Sequence, residues 1–296
     1  MSTSPKRLAR VLTPPPSHWV GDGFPVRSLF SYAHEAERWS PFVLLDYMGP
    51  MEFEPTNDRR GVGPHPHRGI ETVTVLFAGE VEHRDSVGNH GRLGAGDVQW
   101  MTAGGGILHE ELQSAAFSKR GGLLHGVQLW VNLPASDKMT PPRYQDLAGA
   151  RFPEVHVEGG GTARVIAGEL RGAFGPAHTV TAVELWDVTI AKGGSIELSM
   201  PDGHTALLLV VGGPVTIDGT EVHSAHVAEL TRTGSTFRLD APDGGKVLVM
   251  GGRPLDEPVV GHGPFVMNTW NEISRAIHDV DAGRFGTLRA TVDGGE

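Results

Sequence analysis

The sequence predicts an all-β protein in two lobes with one short C-terminal helix, and three observations carry that prediction. At 296 residues the chain is long enough for two domains of ordinary size, each burying its own core. Its 41 Gly and 21 Pro, set among Val- and Leu-rich runs, favour short strands joined by tight turns over a helical bundle. The apolar runs themselves are brief, closely spaced and bounded by Gly, Pro or Asn, which is the pattern of a barrel or sandwich.

Taken in order, residues 1–60 begin irregularly and then carry Phe42-Val43-Leu44-Leu45-Asp46-Tyr47, a stretch expected to add to a sheet. From 61 to 132, strands alternate with turns: Glu71–Phe77, Ala78-Gly79-Glu80, Val81–Arg84, Gly88-Asn89-His90-Gly91, Val98–Met101 and Gly104-Gly105-Gly106. Pro134, Pro141, Pro142 and Pro153 then interrupt a polar stretch with neither strand nor helix period. Residues 134–153 are therefore the expected linker between one domain over 1–133 and another over 154–296.

The second block carries Leu185–Ile190, Ala206–Val211, Val215–Ile217, Val227–Leu230 and Val247–Met250 as its apolar runs. Val73–Phe77 before Ala78-Gly79-Glu80 parallels Leu207–Val211 before Gly212-Gly213-Pro214, a short internal match consistent with duplication. Near the C-terminus, Thr269-Trp270-Asn271-Glu272 reads as a capping box. Trp270, Ile273, Ile277 and Val280 follow at helical spacing, predicting an amphipathic helix over about 269–282 whose apolar stripe packs on a barrel.

Composition excludes several functions. A net charge of -10 with no long Lys/Arg run argues against direct nucleic-acid binding, which needs a basic footprint. The absence of cysteine removes disulfides, thiolate zinc sites, iron–sulfur clusters and a thiol nucleophile, leaving His, Asp and Glu as metal ligands. The N-terminus has no apolar stretch of signal-peptide length, and no long uncharged apolar run occurs elsewhere. A soluble, cytoplasmic protein without membrane contact is the expectation.

Two histidine pairs carry the chemistry. His65-Pro66-His67 places two imidazoles on one face of a strand, although 15 His in this chain would yield roughly one such pair by chance. His109-Glu110-Glu111 repeats the two-residue spacing just after the glycine turn, where backbone approaches closely. If the two strand faces meet inside a barrel, three imidazoles and one carboxylate converge, a donor set suited to a divalent transition metal.

Several stretches resemble the pirin family: Pro64-His65-Pro66-His67-Arg68-Gly69, Gly96-Asp97-Val98-Gln99-Trp100-Met101-Thr102-Ala103-Gly104, Gly106-Ile107-Leu108-His109 and Leu129-Trp130-Val131-Asn132-Leu133-Pro134. The similarity resumes at Pro254-Leu255-Asp256-Glu257-Pro258 and Gly263-Pro264-Phe265-Val266-Met267-Asn268-Thr269, so it spans most of the chain. The resemblance implies two cupin barrels of the jelly-roll type, face to face. It also implies a mononuclear divalent metal, iron(II) or another first-row ion, held by His65, His67, His109 and Glu111. The activity it implies is that of a quercetin 2,3-dioxygenase, with a small aromatic substrate and O2 as partners and Glu111 as the catalytic base. The same family includes regulatory members that bind a transcription regulator or a metabolic enzyme, so a protein partner is the rival expectation. The chain is expected to be a monomer.

Glu71 competes with Glu111, because His65-x-His67-x-x-x-Glu71 matches the first motif of cupins at large and shares strand parity with both histidines. A bulge at Gly69 would turn Glu71 away. The second lobe offers only His204 in the corresponding place and is expected to hold no metal. His83, Asp85 and His90 read as polar strand and turn residues, and His125 as a core histidine.

Overall fold

A computed structural model describes residues 4–288; residues 1–3 and 289–296, the outer ends of the two expected domains, lie outside the described residues. Most of the chain is antiparallel strand, and the longest helix is Trp270–Asp281. No described helix is long and apolar enough to cross a membrane. Two compact units form, but they are not the linear halves expected from the sequence. One takes the chain up to Pro16 with Arg27–Tyr47 and Leu147–Asp256; the other takes Ser17–Val26, Met48–Asp146 and the chain from Glu257 onward.

The reason lies in strand pairing between distant residues. Leu8–Leu12 pairs antiparallel with Val227–Leu230, Leu8 opposite Leu230 and Leu12 opposite Val227, and so belongs with the later half of the chain. It lies at the end of a sheet ordered Leu8–Leu12, Val227–Leu230, Thr205–Gly212, Gly245–Gly252, Val183–Ile190, Gly161–Ala167, Glu154–Val157. A four-stranded sheet, Gly194–Ser199, Thr236–Ala241, Val215–Ile217 and Thr220–Val222, completes that unit. Trp186, Ile196, Leu208, Leu239 and Val249 belong to its buried apolar core. Burial of such side chains contributes roughly 1.5–3 kcal/mol each before conformational entropy is set against it.

The other unit also has a four-stranded sheet, ordered Gly61–His67, Ile107–Gln113, Val81–Asp85, His90–Leu93. A larger sheet in this unit runs Arg143–Leu147, Val98–Thr102, Ile70–Ala78, Gly122–Asn132. Arg143–Leu147 thus forms a strand inside the stretch expected to be a structureless linker. It is an edge strand with only Leu147 buried, so its sequence shows no two-residue apolar alternation.

The C-terminal helix packs here too, not on the later barrel. Thr269 caps it: its Oγ1 accepts from the backbone N–H of Glu272 at 3.3 Å, while Glu272 Oε2 accepts from the N–H of Asn268 at 3.1 Å. The buried face is Ile273 and Ala276 against Phe265, Met267 and Phe285. Trp270, at 63% exposure, and Ile277 are turned outward, so only part of the expected stripe is buried.

Between Gly61–His67 and Ile70–Ala78 the chain passes from one sheet to the other within Arg68-Gly69. Gly69 makes this turn at φ +81°, and a β-carbon there would lie 2.0 Å from the carbonyl oxygen of Val266. Arg68 fastens the same point: Nε donates to Gly105 O at 2.7 Å, Nη1 pairs with Asp279 Oδ2 at 2.8 Å, and the guanidinium lies 4.7 Å from the Phe285 ring centroid. Lys138 Nζ, buried, donates to Gly69 O at 2.9 Å, Val266 O at 2.7 Å and Asn132 Oδ1 at 2.5 Å, so its three N–H groups are all used. Gly69→Ala therefore combines a steric clash with an unfavourable backbone conformation. Urea unfolding should show a loss of about 2 kcal/mol or more, since the left-handed conformation alone costs about 1–3 kcal/mol for a residue with a side chain.

Candidate metal centre

The centre is built where Gly61–His67 pairs with Ile107–Gln113. His65 lies opposite His109 and His67 opposite Ile107, while Glu111 lies opposite Val62. Two steps from Glu111 to His109 thus face three steps from Val62 to His65, and the extra residue falls at Gly63-Pro64, a bulge that re-aims the histidines beyond it. The ring centroids stand 4.2 Å apart for His65 and His109, 5.0 Å for His65 and His67, and 4.9 Å for His67 and His109. One ring nitrogen of each lies within 4.8 Å of the others.

Each imidazole is oriented through Nδ1. His65 Nδ1 donates to Gly63 O at 2.8 Å and His67 Nδ1 to Pro264 O at 3.3 Å, and a carbonyl can only accept. His109 Nδ1 lies 3.4 Å from His83 Nδ1, and His109 Nε2 is buried without a hydrogen-bond partner. Burial, and then the neighbouring His65, hold the pKa of both His67 and His109 well below 6.5, so both stay neutral near pH 7. Neutral imidazoles and a buried nitrogen lone pair left unsatisfied fit a divalent transition-metal ion.

Glu111, the fourth expected ligand, meets the three-histidine group at His109. It belongs to a second group with His83 and His109, whose donor atoms also lie within 4.8 Å of one another. Its Oε1 accepts from Gln99 Nε2 at 2.9 Å and Thr74 Oγ1 at 3.2 Å, and its Oε2 from Gln128 Nε2 at 2.8 Å. Trp130 Nε1 donates to Gln128 Oε1 at 3.2 Å, fixing which way that amide points, and the Trp130 ring lies edge-on to His67 at 5.0 Å.

Glu71 belongs to neither group. It is fully buried on the other sheet, opposite Thr102, and accepts from Thr102 Oγ1 at 2.8 Å. Strand parity with His65 and His67 fails because the chain changes sheets at Gly69.

His83 was missed as a site residue, although His83-x-Asp85 shows the same two-residue spacing as the pairs on either side of it. Its Nε2 lies 3.4 Å from Asp85 Oδ2, and its ring stacks on Tyr144 with centroids 4.5 Å and planes 12° apart. Tyr144 comes from the expected linker and carried no sequence signal. Burial, with the negative charges of Asp146, Glu111 and Asp85 behind it, raises the pKa of its hydroxyl, which stays a neutral donor. A cavity of about 820 Å³ opens here, lined by His83, Asp85, His90, Arg84 and Asp146 among others. His125 packs its ring 5.1 Å from Phe77. In the other unit, the interior is filled by Ala163, Val165, Trp186 and Leu208, and His204 Nδ1 lies 3.6 Å from Glu184.

A pair of cupin domains, one enclosing a His/Glu cluster able to bind a metal, defines a bicupin. Residues 23–131 match the family model described as Pirin, and residues 185–286 match that of the Pirin C-terminal cupin domain. The chain belongs to the pirin family. A Pseudomonas aeruginosa protein provisionally named a quercetin 2,3-dioxygenase is 53% identical over 269 residues, 90% of this chain and 94% of that one. Rat pirin is 38% identical over 252 residues, 83% of this chain and 82% of its own. The crystal structure of quercetin 2,3-dioxygenase from Acinetobacter baumannii superposes with a TM-score of 0.93 at 48% identity, covering 97% of this chain and all of that one, 100%.

Two outcomes are expected from this geometry. Metal content after dialysis should fall roughly tenfold or more in Glu111→Ala and stay near wild type in Glu71→Ala. Acid should weaken the metal-free protein: below about pH 6.5 the unfolded chain takes up protons that folded His67 and His109 refuse, so unfolding free energy falls with pH. Denaturant midpoints from pH 7.5 to 5.5 read this slope, which should be shallower in His109→Phe.

Proposed function

We propose that the chain is a metal-dependent dioxygenase that opens a flavonol, quercetin-like ring with O2, with His65, His67, His109 and Glu111 holding one divalent ion, iron(II) by preference. The observation that carries this reading is the buried, unpartnered Nε2 of His109, whose ring stands within 5 Å of the His65 and His67 rings. The names of similar proteins supply the substrate class, and an N/O donor set without thiolate suits iron(II) among the first-row ions. When bound, the ion supplies Lewis acidity and a redox partner for O2.

The chain's own residues do the rest. A carboxylate offers about four lone-pair sites. Three of those on Glu111 accept from Gln99, Thr74 and Gln128, which leaves one for the ion or for the proton of a flavonol 3-hydroxyl. The three donors hold that oxygen in place before substrate arrives, so little reorganisation accompanies proton transfer.

Protein carrying one iron per chain should consume O2 when quercetin is saturating, as an oxygen electrode would show. Glu111→Gln, reloaded with iron, should be slower by about a hundredfold or more. Stoichiometric iron with no oxygen uptake and unchanged quercetin absorbance would refute the assignment.

A further inference from the structure

His65 and His67 each pass the Nδ1 hydrogen to a backbone carbonyl, so their tautomer is fixed with the lone pair on Nε2. His109 has no carbonyl in that role. Its Nδ1 faces the Nδ1 of His83 at 3.4 Å, and two facing ring nitrogens need one hydrogen between them, whose owner the pair itself does not decide.

Asp85 decides it. Its Oδ1 accepts from the backbone N–H groups of Val87 at 3.1 Å and Asn89 at 2.9 Å, and its Oδ2 accepts from Asn89 Nδ2 at 2.8 Å. An ionised carboxylate ringed by donors can only accept, so His83, 3.4 Å away, must present Nε2–H to it. In a neutral His83 the Nδ1 is then a lone pair, and His109 supplies the hydrogen from its own Nδ1. What remains on His109 is an Nε2 lone pair, on the very atom that is buried without a partner. Tyr144, stacked on the His83 ring, holds its plane, and Gly91 makes room for it: a β-carbon at Gly91 would lie 1.9 Å from the Tyr144 hydroxyl oxygen.

We propose that Asp85 and His83 are positioning residues that set the tautomer of His109, so that its Nε2 lone pair is the one presented to the cation. The inference rests on the reading that His65, His67 and His109 hold a divalent ion, and it adds a chain of command behind one of the three. Partners of this kind behind a metal-bound histidine typically change metal affinity 10–100-fold when removed.

The test uses full-length, histidine-¹⁵N-labelled protein and Co(II) as the metal probe. Two-bond ¹H–¹⁵N spectra of the metal-free protein should show His65, His67 and His109 all protonated at Nδ1. His83→Phe should erase that signature at His109 alone and weaken Co(II) binding, by competition with a chelating dye, about 10–100-fold. His83→Gln, whose side-chain oxygen can accept from His109 Nδ1–H, should recover part of the affinity and the signature, which a space-filling role for His83 would not produce. These variants leave Asp85 and the turn it holds intact. An unchanged His109 tautomer and unchanged Co(II) affinity in folded His83→Phe would overturn the proposal. A wild-type protein that binds no Co(II) would instead defeat the metal reading, while the His109 spectrum still decides the tautomer.

Discussion

The pairing of His65 against His109 across two antiparallel strands is the constraint on which the rest of the centre depends. Strand neighbours on one face are forced within reach of each other, so once this register forms, the imidazoles have little freedom left. The bulge at Gly63-Pro64 and the sheet change at Gly69 protect the register from both sides. Slipping it by one residue would send His65 and His67 to the opposite face. Arg68, Lys138 and Asp279 then clamp the segment immediately after His67, which explains why a C-terminal helix far away in sequence belongs with the strands of the centre.

The two units show how one architecture can be spent differently. In the later barrel, the inward positions of the strands are apolar, and Trp186, Leu208 and Val249 fill the interior as ordinary core. In the other, His67, His83, His109, Glu111, Gln99 and Thr74 are all buried, a costly arrangement unless each polar atom finds a partner. Glu111 meets that demand with three donors, and Asp85 with its own set. His109 Nε2 is one of several buried side-chain atoms without a hydrogen-bond partner, and its place among other imidazoles marks it as a position where a ligand is wanted.

Much of this was legible from residues alone. The short apolar runs and Gly-rich turns announced strands because glycine supplies the backbone angles that such turns require, and the capping box announced the final helix. His65, His67, His109 and Glu111 stood out because a two-residue spacing on a strand implies a shared face. Glu71 was ambiguous by the same rule, since parity cannot reveal that the chain leaves one sheet for another. His83 shared the pattern too, but its role depends on Tyr144 and Asp85, which reach it through contacts that no local spacing encodes.

By itself, then, the chain determined its fold class, its donor chemistry without thiolate, and the two short motifs that carry it. These follow from local periodicity, composition and turn chemistry, which are properties of neighbouring residues. Tertiary structure alone decided which strands exchange partners, so that Leu8–Leu12 pairs with Val227–Leu230 and the final helix packs beside Arg68. It also decided that Glu111 sits with His83 and His109, so that His109 is shared between that group and the trio of imidazoles. Register, bulges and packing between residues far apart in sequence settle such matters, because they depend on which distant surfaces bury each other best.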